Sequence, residues 1–358
     1  MARKQQTASE PRFRLLMAGL GNMGNHWLRV LSGVDEVELV AAVEVNSELA
    51  RERFEQYHLD PKLHFTSYED ALRAMRPDGV LLVTPPAEHR PMSIAALEAG
   101  VPVLSEKPLA ESMESGLEIL AAAERTGVLH MVSQDYRYRP PVQTVKRVLD
   151  SGELGAVGSV TVQFFKSLIR SGFHDTLAYP LTIDMSIHHF DLMRFFLGSE
   201  PASIYGRAWR NPWDWWVGDS STSVLLSFAG GVQVSYTGSW CATGRETTWN
   251  GDWRFECEHG VVIMQDDRVT VQRRTAETGS PQGYPQYLNE KPQRVRLVRM
   301  PTERQAETIR QFCRAVRAGD RPPTAVQDNI NSFRMVWDTI RSFETGQTVV
   351  ADQLSTHR

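Results

Sequence analysis

The chain has 358 residues, 41% apolar and 23% charged, with 25 glycines and 19 prolines, the composition of an ordinary globular protein long enough for two domains. Its formal charge of −4 gives no positive field to gather phosphates, which argues against a dedicated nucleic-acid binder. No apolar run approaches the roughly 18 residues that would span a bilayer, which excludes a transmembrane helix.

The first ten residues carry Arg3 and Lys4 with no apolar segment behind them, so they read as a frayed tail rather than a secretory signal. Strands are expected at Phe13 to Ala18, Val37 to Val43, Val80 to Thr84, Val101 to Leu104 and Leu129 to Ser133. Amphipathic stretches lie between them, with Trp27, Leu31 and Val34 at helical spacing and Met113, Leu117 and Leu120 in a segment that stops at Gly127. Alternation of this kind predicts a doubly wound α/β domain with a parallel sheet, placed at residues 12–134.

Pro140 and Pro141 open a further helix that Gly152 closes, at the start of a second domain placed at residues 135–350. Strand patterns then follow without intervening helices at Ser159 to Lys166, Ser203 to Trp209, Thr222 to Phe228, Val232 to Ser239 and Trp253 to Glu258, with Gly230-Gly231 as a hairpin turn. The second domain is therefore expected to be α+β with a mostly antiparallel sheet. One helical segment, Ile183 to Leu197, interrupts it, and residues 279–301 are turn-rich. Two helices close the chain, one with Thr302 and Gln305 as a capping box, the other with Ile330, Phe333, Trp337 and Ile340 on one face. Cys241, Cys257 and Cys313 are odd in number and widely spaced, with neither a disulfide nor a metal-binding cadence, which fits a reducing cytoplasm.

Gly19, Gly21 and Gly24 follow the first strand and open the first helix, the context of a dinucleotide-binding turn. In that reading Gly19 makes the turn, Gly21 lets the backbone approach a pyrophosphate, and Gly24 lets helix and strand pack closely. Glu44, 20 residues past Gly24 at the end of the second strand, is placed to accept from both adenosine ribose hydroxyls and to repel a 2′-phosphate, which favours NAD over NADP. Thr84, Pro85 and His89 sit at the carboxyl end of the next strong strand, as a loop against the nicotinamide ribose or as a proline-stiffened surface turn. Glu106-Lys107-Pro108 ends the strand after that. Lys107 is there a point charge able to hold a substrate hydroxyl.

In the interrupting helix, Asp184 and His188 are four residues apart, hence on one face. A carboxylate so placed can orient an imidazole whose pKa lies near neutrality, the need of a general acid/base. His189 faces about 100° away, and Asp191 reads as structural. Two adjacent histidines cannot readily reach one ion from a regular helix, so no metal site is expected.

Together these motifs, with Tyr136-Arg137-Tyr138-Arg139-Pro140 and a last helix ending at Gly346, resemble the Gfo/Idh/MocA oxidoreductases over residues 12–350. Pro86 departs from the asparagine common in that loop. The resemblance implies a Rossmann first domain and a second domain whose open sheet builds homodimers or homotetramers. It also implies NAD(P)-linked oxidation of sugars, inositols or their derivatives, with Lys107, Asp184 and His188 as the catalytic set. It adds Asn22, Met23, Glu106 and Lys107 to the cofactor contacts, and Tyr136 and Arg137 to those of the substrate. His188 is then expected to remove a proton from a ring hydroxyl as hydride leaves the carbon beneath. Lys107 polarises the same oxygen and Asp184 tunes His188.

Of nine tryptophans, seven lie between Trp209 and Trp253, suited to a sugar wall or to packing. Trp213 and Trp216 are the substrate candidates, as are His174 and Asp175 before the catalytic helix. Arg294, Arg296 and Arg299 read as a solvated strand face, or as a grip on a phosphate or nucleotide sugar. The function expected is an NAD-dependent sugar or polyol dehydrogenase. A glycoside-cleaving enzyme that oxidises transiently, and a non-catalytic NAD-binding regulator, are the alternatives.

Overall fold

A computed structural model describes residues 11–169, 176–279 and 285–350. The chain divides at Ser133/Gln134, and Gln305–Ile330 returns to the first unit while the residues from Asn331 belong to the second.

The first unit runs β1 (Phe13–Ala18), α1 (Asn22–Leu31), β2 (Val37–Val43), α2 (Ser47–Tyr57), β3 (His64–Phe65), α3 (Tyr68–Met75), β4 (Gly79–Leu82), α4 (Pro86–Glu98), β5 (Val103–Ser105), α5 (Met113–Thr126) and β6 (His130–Val132). Its six strands are parallel in the order β3-β2-β1-β4-β5-β6. The order reverses beside β1, so the crevice at the carboxyl ends of β1 and β4 is the natural ligand site of such a sheet. Leu15, Met17, Leu81 and Leu104 are buried in one core with Trp27 of α1, as strands covered on both faces require.

The second unit begins with α6 (Pro140–Asp150) and β7 (Val157–Phe165), then a π-turn (Thr182–Ser186) that runs into α7 (Ile187–Leu197). After it come β8 (Pro201–Trp209), β9 (Ser221–Phe228), β10 (Gln233–Ser239), β11 (Asp252–Cys257), β12 (Gly260–Gln265), β13 (Arg268–Gly279), β14 (Pro285–Asn289) and β15 (Gln293–Arg294). α8 (Arg304–Ala318), α9 (Val326–Thr345) and β16 (Val349–Val350) close the chain.

α8 belongs to the first unit, where Ile309 and Phe312 join the core. A Cβ on Gly79 would lie 2.8 Å from the Phe312 ring, so glycine in β4 is what lets this helix seat there. In the second unit the sheet order is β14-β13-β12-β11-β7-β10-β9-β8-β16, with β15 on β13 and β7–β10 as a parallel pair in an otherwise antiparallel arrangement. Val160, Val162 and Phe164 of β7 are buried and alternate with exposed Thr161 and Gln163, the period of a sheet with one covered face. α7 covers that face: Phe196 meets Trp253 and Phe255, and Phe190 meets Tyr236.

Candidate active site

In the first unit the glycine loop is shaped by its own backbone. Gly19 has φ +94° and a Cβ there would lie 2.6 Å from the Val83 carbonyl oxygen, while a Cβ on Gly24 would lie 2.3 Å from that of Gly19. Both positions require glycine for packing. Gly21 does not: its φ is −60°, and no protein atom lies within 4 Å of where its Cβ would be. The space belongs to something other than this chain's packing, which is what a pyrophosphate cradle needs.

The helix that follows supports the same reading. α2, α3 and α5 have their first amides satisfied by Asn46, Ser67 and Ser112. α1 starts after Gly21 with no side-chain cap, as α4 does after Pro85, and unlike α4, which carries Glu88, it has no acid in its first turn. Its first amides, at Asn22, Met23 and Gly24, and the positive end of its dipole fit an anion. Met23 is 43% exposed.

Glu44 is fixed by two backbone amides, Oε2 accepting from Leu20 N–H at 2.9 Å and Oε1 from Asn46 N–H at 3.0 Å. It ties the end of β2 to the glycine loop and keeps lone pairs for further donors. Glu106 is buried and accepts from the Trp27 indole N–H at 2.8 Å, so it anchors α1 and sets the base of the next residue. Lys107 and Thr84 are partly exposed and Pro85 is exposed.

His89 differs from its expected place on the nicotinamide side. It is 1% exposed, with Nδ1 3.0 Å from the Pro108 carbonyl and Nε2 3.0 Å from the Thr84 carbonyl. The ring thus clamps the Thr84-Pro85 turn to the Lys107-Pro108 turn and presents no free edge to a ligand. Burial holds its pKa below the ordinary histidine value, with the two carbonyls acting against that. The sequence offers a place against the nicotinamide ribose or on a surface turn, because nothing local in it marks a carbonyl 19 residues away.

In the second unit, Asp184 sits in the π-turn and His188 in the first turn of α7. A regular α-helix from Ile183 was expected. The widened turn is accompanied by Ser186, whose hydroxyl donates to the carbonyl of Leu181, five residues back, at 3.3 Å. Four residues remain about one full turn in either geometry, so Asp184 and His188 share a face. The adjacent histidines separate as their angular spacing requires. His189 is buried among Phe164, Tyr236 and Trp253, its Nδ1 3.2 Å from the Tyr236 hydroxyl. Burial lowers its pKa to about 3.

His188 is instead stacked on Tyr136, ring centroids 4.0 Å apart. The Arg139 guanidinium lies 3.2 Å from the same ring's centre and is held by Asn250 Oδ1 at 3.0 Å and Asp135 Oδ2 at 3.4 Å. Two groups this close to one ring centre occupy opposite faces, so Tyr136 is a slab between a cation and an imidazole. Burial pushes the Tyr136 hydroxyl up to about 12, with Arg139 pulling the other way. Tyr136, expected at the substrate, presents neither ring face to it. Arg139 and Asp135 had not been singled out, and the Tyr-Arg-Tyr-Arg spacing, three residues from Tyr136 to Arg139, was the available signal.

Arg137 is also corrected. Its guanidinium makes a buried two-pronged pair with Asp191, both bonds 2.7 Å, and Ser332 donates to the same carboxylate at 2.7 Å. Its charge is committed to joining the 134–139 segment, α7 and α9 rather than aimed at substrate. Asp191 is the structural residue its position suggested.

The tryptophan loop between β8 and β9 is built around Asp214, which accepts from Trp216 N–H at 2.8 Å, from Cys241 Sγ at 2.9 Å and from the Ser220 hydroxyl. Burial and the neighbouring carboxylate raise the Cys241 thiol to about 11, so it stays a proton donor. Trp216 is 2% exposed and its indole N–H is spent on the Leu168 carbonyl, which makes it packing, not a substrate wall. Trp213 is 55% exposed. His174 and Asp175 lie outside the described residues. Among the described residues no group of three or more His, Cys, Asp or Glu side chains is placed to hold a metal ion, and no helix is long and apolar enough to cross a membrane.

Residues 13–134 match the oxidoreductase family with an NAD-binding Rossmann fold, and residues 142–263 match the Gfo/Idh/MocA C-terminal domain. The scyllo-inositol 2-dehydrogenase (NAD(+)) of Bacillus subtilis is 31% identical over 64% of this chain and 68% of its own length. The D-apiose dehydrogenase of Paraburkholderia graminis is 25% identical over 96% of this chain and 91% of its own. The crystal structure of an oxidoreductase from Agrobacterium radiobacter, in complex with NAD+, L-tartaric acid and magnesium, shares the fold, with a TM-score of 0.79 at 21% identity over 95% of this chain and 98% of that one. A glycine loop shaped for a pyrophosphate and both domain matches in sequence order lead to one conclusion: this chain is a Gfo/Idh/MocA family member, an NAD-dependent oxidoreductase.

Proposed function

We propose that this enzyme oxidises a secondary hydroxyl of a sugar, inositol or glycoside, with His188 as the acid/base group. The observation that supports the reading is the sorting of the two histidines: His189 is wholly buried in the aromatic core, while His188, 5% exposed, has its ring plane fixed by Tyr136 and follows Asp184 by four residues. Relatives named for D-apiose and scyllo-inositol support polyhydroxylated rings as the substrate class.

Gly19 to Gly24 hold the cofactor's pyrophosphate and Glu44 its adenosine ribose, with Thr84, Pro85 and Lys107 on the nicotinamide side. When bound, the nicotinamide supplies a hydride acceptor. His188 takes the hydroxyl proton, and Lys107 donates to the hydroxyl oxygen as it gains negative charge. Asp184 accepts from the imidazole, which raises the basicity of His188, or from a neighbouring hydroxyl, which orients the substrate. Trp213 offers an exposed indole face to the C–H side of a sugar ring. The working form is a cytoplasmic homodimer or homotetramer.

The test is NAD+ reduction against a panel of monosaccharides, inositols and glycosides. Net NADH with at least one polyol is expected. Release of free sugar from a glycoside with no lasting NADH would replace this reading with transient oxidation and bond cleavage, and NAD+ binding with no turnover would replace it with a regulatory one.

A further inference from the structure

Four cations, Lys291, Arg294, Arg296 and Arg299, follow one another between Glu290 and Thr302 with no acid among them, in a chain of net charge −4. The sequence reads this alternation as a solvated strand face. The structure ends β15 at Arg294 and carries the next residues along α6. There the Val298 N–H donates to Thr144 Oγ1 at 2.9 Å and Arg147 Nη2 donates to the Arg296 carbonyl at 3.1 Å. Arg147, Arg296 and Arg299, with Leu297 and Val298, line an open groove of about 540 Å³.

Among the described residues no carboxylate lines this groove, and none of its three arginines has an ion-pair partner. The nearby cations do: Lys146 pairs with Asp150, Arg273 with Glu153 and Arg304 with Asp135. Gathering like charges is unfavourable unless an anion bridges them. Guanidinium forks match phosphate oxygens two at a time, which a lysine cluster would not. The groove is open and its three arginines are exposed, so a ligand there is held at the surface by charge and hydrogen bonds.

We propose that this groove binds a diphosphate group, either free or carried by a nucleotide. Two linked phosphates spread their charge and terminal oxygens along the groove, so that three guanidiniums lining it can each meet an oxygen without crowding one phosphorus. Leu297 and Val298 supply an apolar flank on which a nucleoside can rest.

The experiment is calorimetric titration of the full chain, saturated with NAD+ so that the glycine loop does not contribute, with inorganic pyrophosphate, uridine diphosphate, orthophosphate and hexaglutamate. Pyrophosphate is expected to bind saturably at one site, at least about tenfold more tightly than orthophosphate. An R147Q/R296Q/R299Q variant should weaken it at least about tenfold, single R296Q and R299Q variants by several fold, and the exposed control R268Q not at all. Tighter uridine diphosphate assigns the nucleoside to Leu297 and Val298, and equal affinities assign a free diphosphate; both uphold the site. Absence of saturable pyrophosphate binding, binding unchanged in the single and triple variants, or stronger competition by hexaglutamate overturns it.

Discussion

The imidazole of His188 lies 13° from parallel with the Tyr136 ring, centroid to centroid 4.0 Å, and Arg139 closes the opposite face. The orientation of this imidazole, the proposed general base, is therefore set by stacked planes. Tyr136→Leu removes the middle plane and is expected to lower kcat by about ten- to a hundredfold through misplacement, with NAD+ affinity unchanged. Tyr136→Phe preserves the stack and should remain within about threefold of the parent. Equal losses in the two variants, measured by steady-state kinetics, would assign the role to the hydroxyl instead.

The glycine loop separates fold from ligand binding. Gly24→Ala drives a Cβ to within 2.3 Å of the Gly19 carbonyl oxygen, and should destabilise the first unit by about 1–3 kcal/mol as overpacking does. Gly21→Ala meets no protein atom within 4 Å, so its melting temperature should hold while its dissociation constant for NAD+ rises at least about tenfold. Calorimetry and NAD+ titration of both variants decide the point, and unaltered NAD+ affinity in Gly21→Ala would contradict it.

Asp191→Ala leaves the Arg137 guanidinium, 5% exposed, without its two-pronged partner. Breaking a buried pair of this kind costs about 3–5 kcal/mol, to be read from denaturant unfolding. A loss below about 1 kcal/mol would show that water or Ser332 replaces the carboxylate.

Strands β1 and β2 begin and end where the sequence puts them, because apart from exposed Arg14 and Glu38 their residues are apolar, as burial on both faces requires. The glycine loop was legible for the same kind of reason: its chemistry is local. What escaped is non-local or polar. β13 is written Arg-Val-Thr-Val-Gln-Arg-Arg, too polar to separate from a loop, and β3 has only two residues. His89 reads as a ligand contact until carbonyls 5 and 19 residues away are seen to enclose it. Arg137 reads as a substrate contact until α7 delivers Asp191. Sequence spacing places Asp184 and His188 on one face, but it does not reveal the slab that holds the imidazole.

Acid sensitivity should carry the mark of buried neutral histidines. Burial takes His130 and His189 down to about 3, whereas the unfolded chain binds these protons near pH 6.5. The unfolded state therefore takes up protons first, and stability falls as pH drops below about 6.5, by about 1 kcal/mol per pH unit for each histidine between pH 6.5 and 5. In His130→Leu the slope of unfolding free energy against pH should flatten by that amount, whatever the offset in stability. An unchanged slope would mean that His130 is protonated in the folded chain.

The most direct measurement compares kcat for NAD+ reduction, with the best polyol of the panel, between the parent and His188→Ala, alongside NAD+ affinity. A loss of roughly 10²–10⁴-fold in kcat with NAD+ binding intact is the expected result. Turnover within about threefold of the parent, or a fall explained by lost NAD+ binding, would contradict the assignment of proton transfer to His188.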